Sequence, residues 1–287
     1  EIFKEPPETP DELKQRIKSA HIVIVGWSGL TKGVIDYAEK LKMISIWATT
    51  CHYADLEAAK ERGVVVTHVP GYAAEAVAEH AFALLLASSR KLLLADKHVR
   101  EGKFDWRPFR GMELAGKTLG IIGAGAIGFR VAEIAKAFKM KILAFDIKPD
   151  MKKADQVGMA YVDLERLLRE SDIVSVHVTL TSETKRLIGK SEIDAMKDGA
   201  VIINTAQGGV IDEKALVDAL KSGKLSYAGL DVLEDEPPAK DNPLFKLDNT
   251  VLSPHNGFHT VEAVKRCTDI CIDNVAKFVE GRLQNTC

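Results

Sequence analysis

The sequence predicts an α/β protein made of two doubly wound parallel-sheet domains. Three observations carry that prediction. Apolar runs of strand length alternate with helical patterns almost throughout, the order that parallel sheets with crossover helices require. The runs fall into two blocks, three within the first 70 residues and six from residue 118 onward. A chain of 287 residues is also too long for one ordinary core and comfortable for two.

In the first block, strands are expected at Ile22–Val25, 43–47 and 64–69, with helices over 31–41 and 55–62 between them. A long helix is expected over 74–90, apolar around most of its circumference and therefore buried at a domain junction or a subunit interface. Strands in the second block are expected at Thr118–Ile122, Lys141–Phe145, 173–178, Ala200–Asn204, 227–232 and Thr250–Leu252. A final helix over 260–280 exceeds what that sheet needs. It reads as a return to the first domain, which makes that domain discontinuous.

The most informative stretch is Thr118-Leu-Gly-Ile-Ile-Gly-Ala-Gly-Ala-Ile-Gly128. An apolar strand runs into Gly123-x-Gly125-x-x-Gly128, a helical pattern follows (Val131, Ile134, Ala135, Phe138), and the next strand ends at Asp146. That is the order of a dinucleotide-binding βαβ unit, the start of a Rossmann domain. Gly123 permits the tight turn, Gly125 lets the backbone approach a pyrophosphate, and Gly128 lets helix and strand pack closely. The helix N-terminus offers free N–H groups to the phosphates. Asp146, 23 residues past the first glycine, is placed to accept both ribose hydroxyls. A 2′-phosphate there would meet like charge, so NAD is favoured over NADP. A second glycine pair, Gly26-Trp-Ser-Gly29, has no acid at the end of its next strand and reads as a substrate-facing loop.

Composition narrows the partners. Net charge is −2, with 28% charged and 46% hydrophobic residues, so no basic surface argues for nucleic acid or anionic membrane. The run Ala81-Phe-Ala-Leu-Leu-Leu-Ala87 is far too short to span a bilayer, and no N-terminal segment looks like a signal peptide. The cysteines, Cys51, Cys267, Cys271 and Cys287, form no CxxC pair. Cys267 and Cys271 sit one helical turn apart without further ligands, so no metal is expected and they read as buried helix residues. Sparse, unpaired cysteines fit a reducing cytoplasm. The chain begins at Glu1 with no start methionine, and a missing N-terminal segment is expected.

Chemistry is expected at three loops that follow late strands: Asn204-Thr-Ala-Gln207-Gly-Gly-Val-Ile-Asp212, Gly229-Leu-Asp231-Val-Leu-Glu-Asp-Glu236-Pro-Pro238 and Ser253-Pro-His255-Asn-Gly257-Phe-His-Thr260. In an open α/β sheet, ligands bind beyond the carboxyl ends of the strands. A His and a Glu from such loops can pair, the carboxylate orienting the ring and raising its pKa toward neutrality. Such a pair is a proton shuttle, which hydride transfer to or from a carbonyl needs.

With these loops the chain resembles the D-isomer-specific 2-hydroxyacid dehydrogenase family over nearly its whole length. Asp55-Leu-Glu-Ala-Ala59, Gly63-Val-Val-Val-Thr67, Val69-Pro-Gly71, Ala76-Val-Ala-Glu79 and Gly116-Lys-Thr-Leu-Gly120 add to the likeness. The resemblance implies that His255 is the general acid/base and Glu236 its partner. Asp231 would meet the nicotinamide carboxamide, and Asp146 the adenosine ribose. Ala126 and Ile127 would cover the pyrophosphate, with His177, Val178, Thr205, Ala206 and Gly257 lining the cofactor cleft. It also implies a smaller, flavodoxin-like substrate domain, residues 1–70 plus 256–287, beside a Rossmann NAD-binding domain, 71–255. The family usually begins with one more strand and helix, so the first βα unit is expected to be absent.

Two departures from the family pattern matter. Gln207 stands where the family places an arginine that grips the substrate carboxylate and polarises its carbonyl. A neutral hydrogen bond contributes about 1 kcal/mol against roughly 1.5–3 for a charged one, so turnover is expected to be weakened unless another cation compensates. Arg107 and Arg110 are the first candidates for that. The second departure is Ala48-Thr49-Thr50-Cys51-His52, where the family typically has a Gly-x-Gly turn whose amides hold the substrate carboxylate. Thr49 and Thr50 are expected to keep that role, while Trp27 and Ser28 face the same region. Trp27 is open between pocket lining and domain packing.

The expected function is an NAD-dependent oxidoreductase interconverting a small 2-oxo acid and a D-2-hydroxy acid. The alternative is an NAD(H)-sensing scaffold that kept the fold and lost turnover, which only Gln207 favours. A homodimer through the 74–90 helix is expected.

Overall fold

The computed structural model describes residues 1–287, and the chain divides into two compact units. The smaller holds Glu1–Ala73 and Thr260–Cys287, and the larger holds Ala74–His259. The divisions fall three and four residues beyond the expected positions at 70 and 255.

The smaller unit opens with α1 (Pro10–Ile17), β1 (Ile22–Val25), α2 (Lys32–Tyr37), β2 (Met43–Ile46), α3 (Leu56–Glu61) and β3 (Val65–Thr67). Helix α1, ahead of the first expected strand, was not expected from the sequence. Its signals are local: Thr9 accepts from the Glu12 amide, Pro10 begins the helix, and Leu13 and Ile17 bury one face. The three strands are parallel and lie in chain order, with Met43 opposite both Ile22 and Val65. Every residue of the central β2 is buried, as a parallel strand covered on both faces must be.

In the larger unit, α4 (Ala74–Ser89) and α5 (Leu92–Arg100) precede the dinucleotide-type sheet. Then come β4 (Thr118–Ile122), α6 (Ala126–Ala137), β5 (Lys141–Phe145), α7 (Met151–Val157), β6 (Met159–Tyr161), α8 (Leu164–Glu170) and β7 (Ile173–Val176). The rest are α9 (Lys190–Ala195), β8 (Ala200–Asn204), α10 (Glu213–Ser222), β9 (Leu225–Leu230) and β10 (Thr250–Leu252). Seven parallel strands, one more than expected, run in the order β10-β9-β8-β7-β4-β5-β6. The extra one, β6, is a three-residue edge strand. Winding proceeds outward from β4 in both directions, so the chain reverses there. A crevice at such a switch point is where open α/β sheets bind ligands.

Helix α4 corrects one expectation. Its apolar faces are covered by its own unit, by β8, β9 and β10 on one side and α6 on the other. Phe82 stacks on Phe138 at 5.3 Å between ring centroids. Only Glu75, Glu79, Ala83 and Leu86 form an exposed stripe along it. A helix apolar around most of its girth therefore needs no second subunit, because a sheet and a helix can cover it from two sides.

Helix α11 (Val261–Val279) returns to the smaller unit and packs on β2, with Cys267 and Cys271 buried. Beyond it Thr286 pairs antiparallel with Thr67, and the Cys287 amide donates to Val66 O. This run brings Cys287 to Cys51, and the two form a disulfide. The cysteines are thus not all unpaired, and their count no longer argues for a reducing compartment. Pairing 236 residues apart leaves no local pattern to read. No helix is long and apolar enough to cross a membrane.

Candidate active site

Strand register builds the site. Phe145, Ile122, Val176, Asn204, Leu230 and Leu252 stand opposite one another across β5, β4, β7, β8, β9 and β10. The next residue of each strand therefore lies along the carboxyl edge of the sheet. Those residues are Asp146, Gly123, His177, Thr205, Asp231 and Ser253. Five of the six were expected at the site from sequence.

At one end of that edge the geometry fits a dinucleotide. Gly123 adopts φ +95, and a Cβ there would meet His177 C at 2.8 Å and Val178 Cγ1 at 2.8 Å. A Cβ at Gly128 would strike Gly123 O at 2.1 Å, so only glycine lets the first turn of α6 close on the strand. Beside Gly125, by contrast, a Cβ would meet nothing within 4 Å. The backbone is bare there, at the N-terminus of a 12-residue helix begun by Ala126 and Ile127, which suits a pyrophosphate. Asp146 Oδ2 accepts from the Ala124 amide at 2.7 Å, and Oδ1 from the Lys148 amide at 2.8 Å. Each oxygen keeps a lone pair for a ribose hydroxyl. His177 is half-buried, and burial pushes its pKa down to about 4, so its ring is neutral. Its Nε2 lies 2.8 Å from Ser175 Oγ, while Nδ1 has no partner. Thr205 Oγ1 is likewise buried without a partner.

At the other end, His255 Nδ1 lies 2.6 Å from Glu236 Oε2, and Glu236 Oε1 accepts from the Leu233 amide at 3.1 Å. The Glu236 hydrogen bond is the chief cause raising the His255 pKa; burial opposes it, and the charges of Glu236 and Asp231 add to it. The Glu236 contact engages Nδ1, one of the two ring nitrogens. His255 holds φ 51, a left-handed conformation costing roughly 1–3 kcal/mol in a residue with a side chain. Asp231 is 3% exposed. Burial alone would push its pKa up, but hydrogen bonds from His80, Ser253 and the Gly257 and Asn256 amides outweigh that and bring it to about 2. Its Oδ2 accepts from the Gly257 amide at 2.8 Å and retains one acceptor direction.

Gln207 is half-buried, and its carbonyl accepts from Asn204 Nδ2 at 3.0 Å; Ala206 N–H donates to Asn204 Oδ1 at 3.0 Å. The buried Asn204 thus shapes the loop that presents Thr205, Ala206 and Gln207. Of the two suspected compensating cations, Arg107 is tied to Asp105 through two nitrogens on an exposed loop, and Arg110 is exposed on the same loop. Sequence reading passed over Arg186, whose Nη2 is 2.9 Å from Glu234 Oε1 and whose amide donates to Gly209 O. It also passed over His80 of α4, whose Nε2 is 2.8 Å from Ser253 Oγ. A lone histidine in an apolar helix carries no signal of its own.

Thr49 and Thr50 belong to the smaller unit, in the loop after β2. Thr50 Oγ1 lies 2.6 Å from His52 Nδ1, and His68 Nδ1 lies 2.7 Å from Thr49 O. Trp27 in the loop after β1 is 55% exposed and meets Tyr53 edge-on at 6.1 Å.

A doubly wound sheet with this fingerprint and an acid after its second strand has the fold of a dinucleotide-binding domain, and the His–Glu pair lies on the same sheet edge. Residues 82–257 match the model of the D-isomer specific 2-hydroxyacid dehydrogenase NAD binding domain. The chain is 44% identical over 272 residues to the D-3-phosphoglycerate dehydrogenase of Archaeoglobus fulgidus, covering 94% of this chain and 52% of that protein. With the glyoxylate reductase of Thermococcus litoralis it shares 40% identity, over 99% of this chain and 88% of that one. The crystal structure of Aquifex aeolicus D-lactate dehydrogenase complexed with NAD and lactic acid superposes with a TM-score of 0.85. Identity there is 35%, with 93% of this chain and 85% of that chain covered. The chain belongs to the D-isomer-specific 2-hydroxyacid dehydrogenase family, and its larger unit contains that family's NAD-binding domain. It spans about half the length of the phosphoglycerate dehydrogenases it matches.

Proposed function

We propose that the protein is an NAD-dependent oxidoreductase that interconverts a small 2-oxo acid and the corresponding D-2-hydroxy acid. The observation that carries this reading is the His255–Glu236 pair on the same sheet edge as the glycine fingerprint and Asp146. Gly123, Gly125, Ala126, Ile127 and Gly128 would hold the pyrophosphate and Asp146 the adenosine ribose. His177, Val178, Thr205, Ala206 and Gly257 would border the nucleotide, with Asp231 accepting from the nicotinamide carboxamide through the free side of Oδ2. A reduced nicotinamide held there would supply the hydride for the 2-oxo carbon. His255 delivers the proton from Nε2 to the carbonyl oxygen, and Glu236 stabilises the charged ring before that transfer. In the oxidising direction the neutral ring takes the hydroxyl proton. Gln207 would meet the substrate with neutral hydrogen bonds in place of a charged fork, and Thr49 and Thr50 are the proposed partners of the carboxylate. Weakened turnover follows from Gln207 on this reading.

A homodimer remains the proposed assembly, on a different surface from that expected. Leu92, Leu93 and Val99 of α5 are 52–57% exposed, and Phe104 and Trp106 in the following loop are 94% and 82% exposed. The same unit carries a cavity of about 260 Å³ lined by Leu93, Leu94, Tyr227, Phe245 and Val251. Exposed aromatic side chains and an apolar hollow in the same unit suit a contact between copies.

The test is His255→Ala, assayed with NADH against glyoxylate, hydroxypyruvate and pyruvate, with NADH binding followed by fluorescence. Turnover should fall roughly 100–10,000-fold while NADH binding stays measurable, because the ring moves a proton and does not anchor the nucleotide. Near-parental activity would overturn the assignment. Gln207 favours the second reading, an NAD(H)-sensing scaffold. NADH binding without turnover of any 2-oxo acid by the parent protein would establish that one.

A further inference from the structure

The buried Asp231 gathers the segment that carries His255. Its Oδ1 accepts from Ser253 Oγ at 2.6 Å and from the Asn256 amide at 2.9 Å, and Oδ2 from the Gly257 amide at 2.8 Å. The His255 amide donates to Asp231 O at 2.8 Å. Behind this clamp stands His80, from the middle of α4. Its Nε2 is 2.8 Å from Ser253 Oγ and 3.3 Å from Asp231 Oδ1, and a Cβ on Gly257 would meet its Cδ2 at 3.1 Å.

The direction of each hydrogen bond follows from the chemistry. An ionised carboxylate only accepts, so the Ser253 hydroxyl donates to Asp231. The Ser253 oxygen is then left to accept, and His80 must donate through Nε2–H. A donor chain thus runs from His80 through Ser253 to Asp231, and the carboxylate also accepts the two amides that follow His255. Those amides are what a left-handed His255 presents together. Without the acceptor between them, the strained φ would relax toward the right-handed or extended regions and swing the ring away from Glu236.

We propose that His80 is a positioning residue: by donating to Ser253 and Asp231 it keeps His255 left-handed and its ring on Glu236. The proposal rests on the reading of His255 as the acid/base. Simple packing by His80 would need only a ring of this size, whereas positioning needs the Nε2 donor, and that difference can be measured.

The experiment compares His80→Phe, which keeps a ring and removes the donor, with His80→Gln, which keeps a donor of similar reach. His80→Phe should lower kcat roughly 10–100-fold, with KM for the 2-oxo acid and NADH affinity each changed less than about threefold. The His255 imidazole, followed by NMR titration, should move down toward its ordinary value as the ring leaves Glu236. His80→Gln should restore both. Ser253→Ala should reproduce the fall, and the double variant should add little to it, because the two side chains act in one chain. Parental kcat with an unmoved His255 titration in His80→Phe overturns the proposal, and so does a loss that His80→Gln fails to restore. Failure of the underlying reading looks different: His255→Ala would keep its turnover while His80→Phe still moved the His255 titration.

Discussion

His255 Nδ1 and Glu236 Oε2 are 2.6 Å apart, though 19 residues and a turn of sheet edge separate them in the chain. The carboxylate sets the ring's tautomer and raises its pKa, the hydrogen bond contributing most. On the proposed reading reduction draws its proton from the charged ring, so the rate should be full below that raised pKa and fall as pH rises through it.

Glu236→Gln removes the charge that favours imidazolium. The basic limb of the pH–kcat/KM profile for 2-oxo acid reduction should then shift to lower pH. Burial of the ring, no longer opposed by a carboxylate, acts in the same direction. A limb that stays in place would show that another group titrates there.

Asp146 should make NADH the preferred coenzyme. Its oxygens already accept two backbone amides, which fixes them where the ribose hydroxyls or a 2′-phosphate would arrive. Steady-state kinetics should show kcat/KM at least about tenfold higher with NADH than with NADPH, the equivalent of one repulsive contact of ~1.4 kcal/mol. Asp146→Ser should narrow the gap chiefly by weakening NADH. Equal or better use of NADPH by the parent protein would contradict this.

Gln207→Arg should raise kcat/KM for 2-oxo acids by roughly 10–1000-fold, since a guanidinium offers a charged fork to carboxylate and carbonyl together. NADH affinity should barely change. A gain mainly in kcat would place the charge on the developing alkoxide, and a gain mainly in KM on the carboxylate. A brisk parent enzyme that the arginine does not improve would mean that another cation serves, and Arg186 would be the next to substitute.

The Cys51–Cys287 bond should stabilise the smaller unit. Cys51→Ser or reduction should cost about 2–4 kcal/mol, read as a lower denaturation midpoint. NADH binding should persist, because every residue assigned to the nucleotide belongs to the larger unit. Peptide mapping without reductant checks the bond directly; free thiols at both positions would refute it.

Trp106→Asp together with Phe104→Asp should convert a dimer to monomer in light scattering at micromolar concentration, since a charge cannot enter an apolar contact unpaired. A parent protein that is already monomeric would dispose of the dimer.

The glycine fingerprint, Asp146 and six of the seven strands of the coenzyme sheet were legible in the sequence because each depends on neighbours within a few residues. Apolar runs mark buried parallel strands, and a strand–Gly–helix order admits few other folds. The strands also account for why the site residues line up. Once register is set, the residue after each strand lies on the same edge, so Thr205, Asp231 and Ser253 join Gly123 without any motif linking them.

What the tertiary structure alone decided lies in contacts between distant parts of the chain. His80 reaches Ser253 across 173 residues, and Cys51 reaches Cys287 across 236. The cover of α4 by β8, β9, β10 and α6 belongs with them, and there the apolar pattern had shown burial without naming what buries it. Helical and strand periodicities record which face of an element is apolar. They do not record which partner that face meets, because any apolar surface of matching shape removes the same area from water. Single polar pairs are harder still to read, since one side chain has no period and its hydrogen bond exists only after folding has brought both ends together.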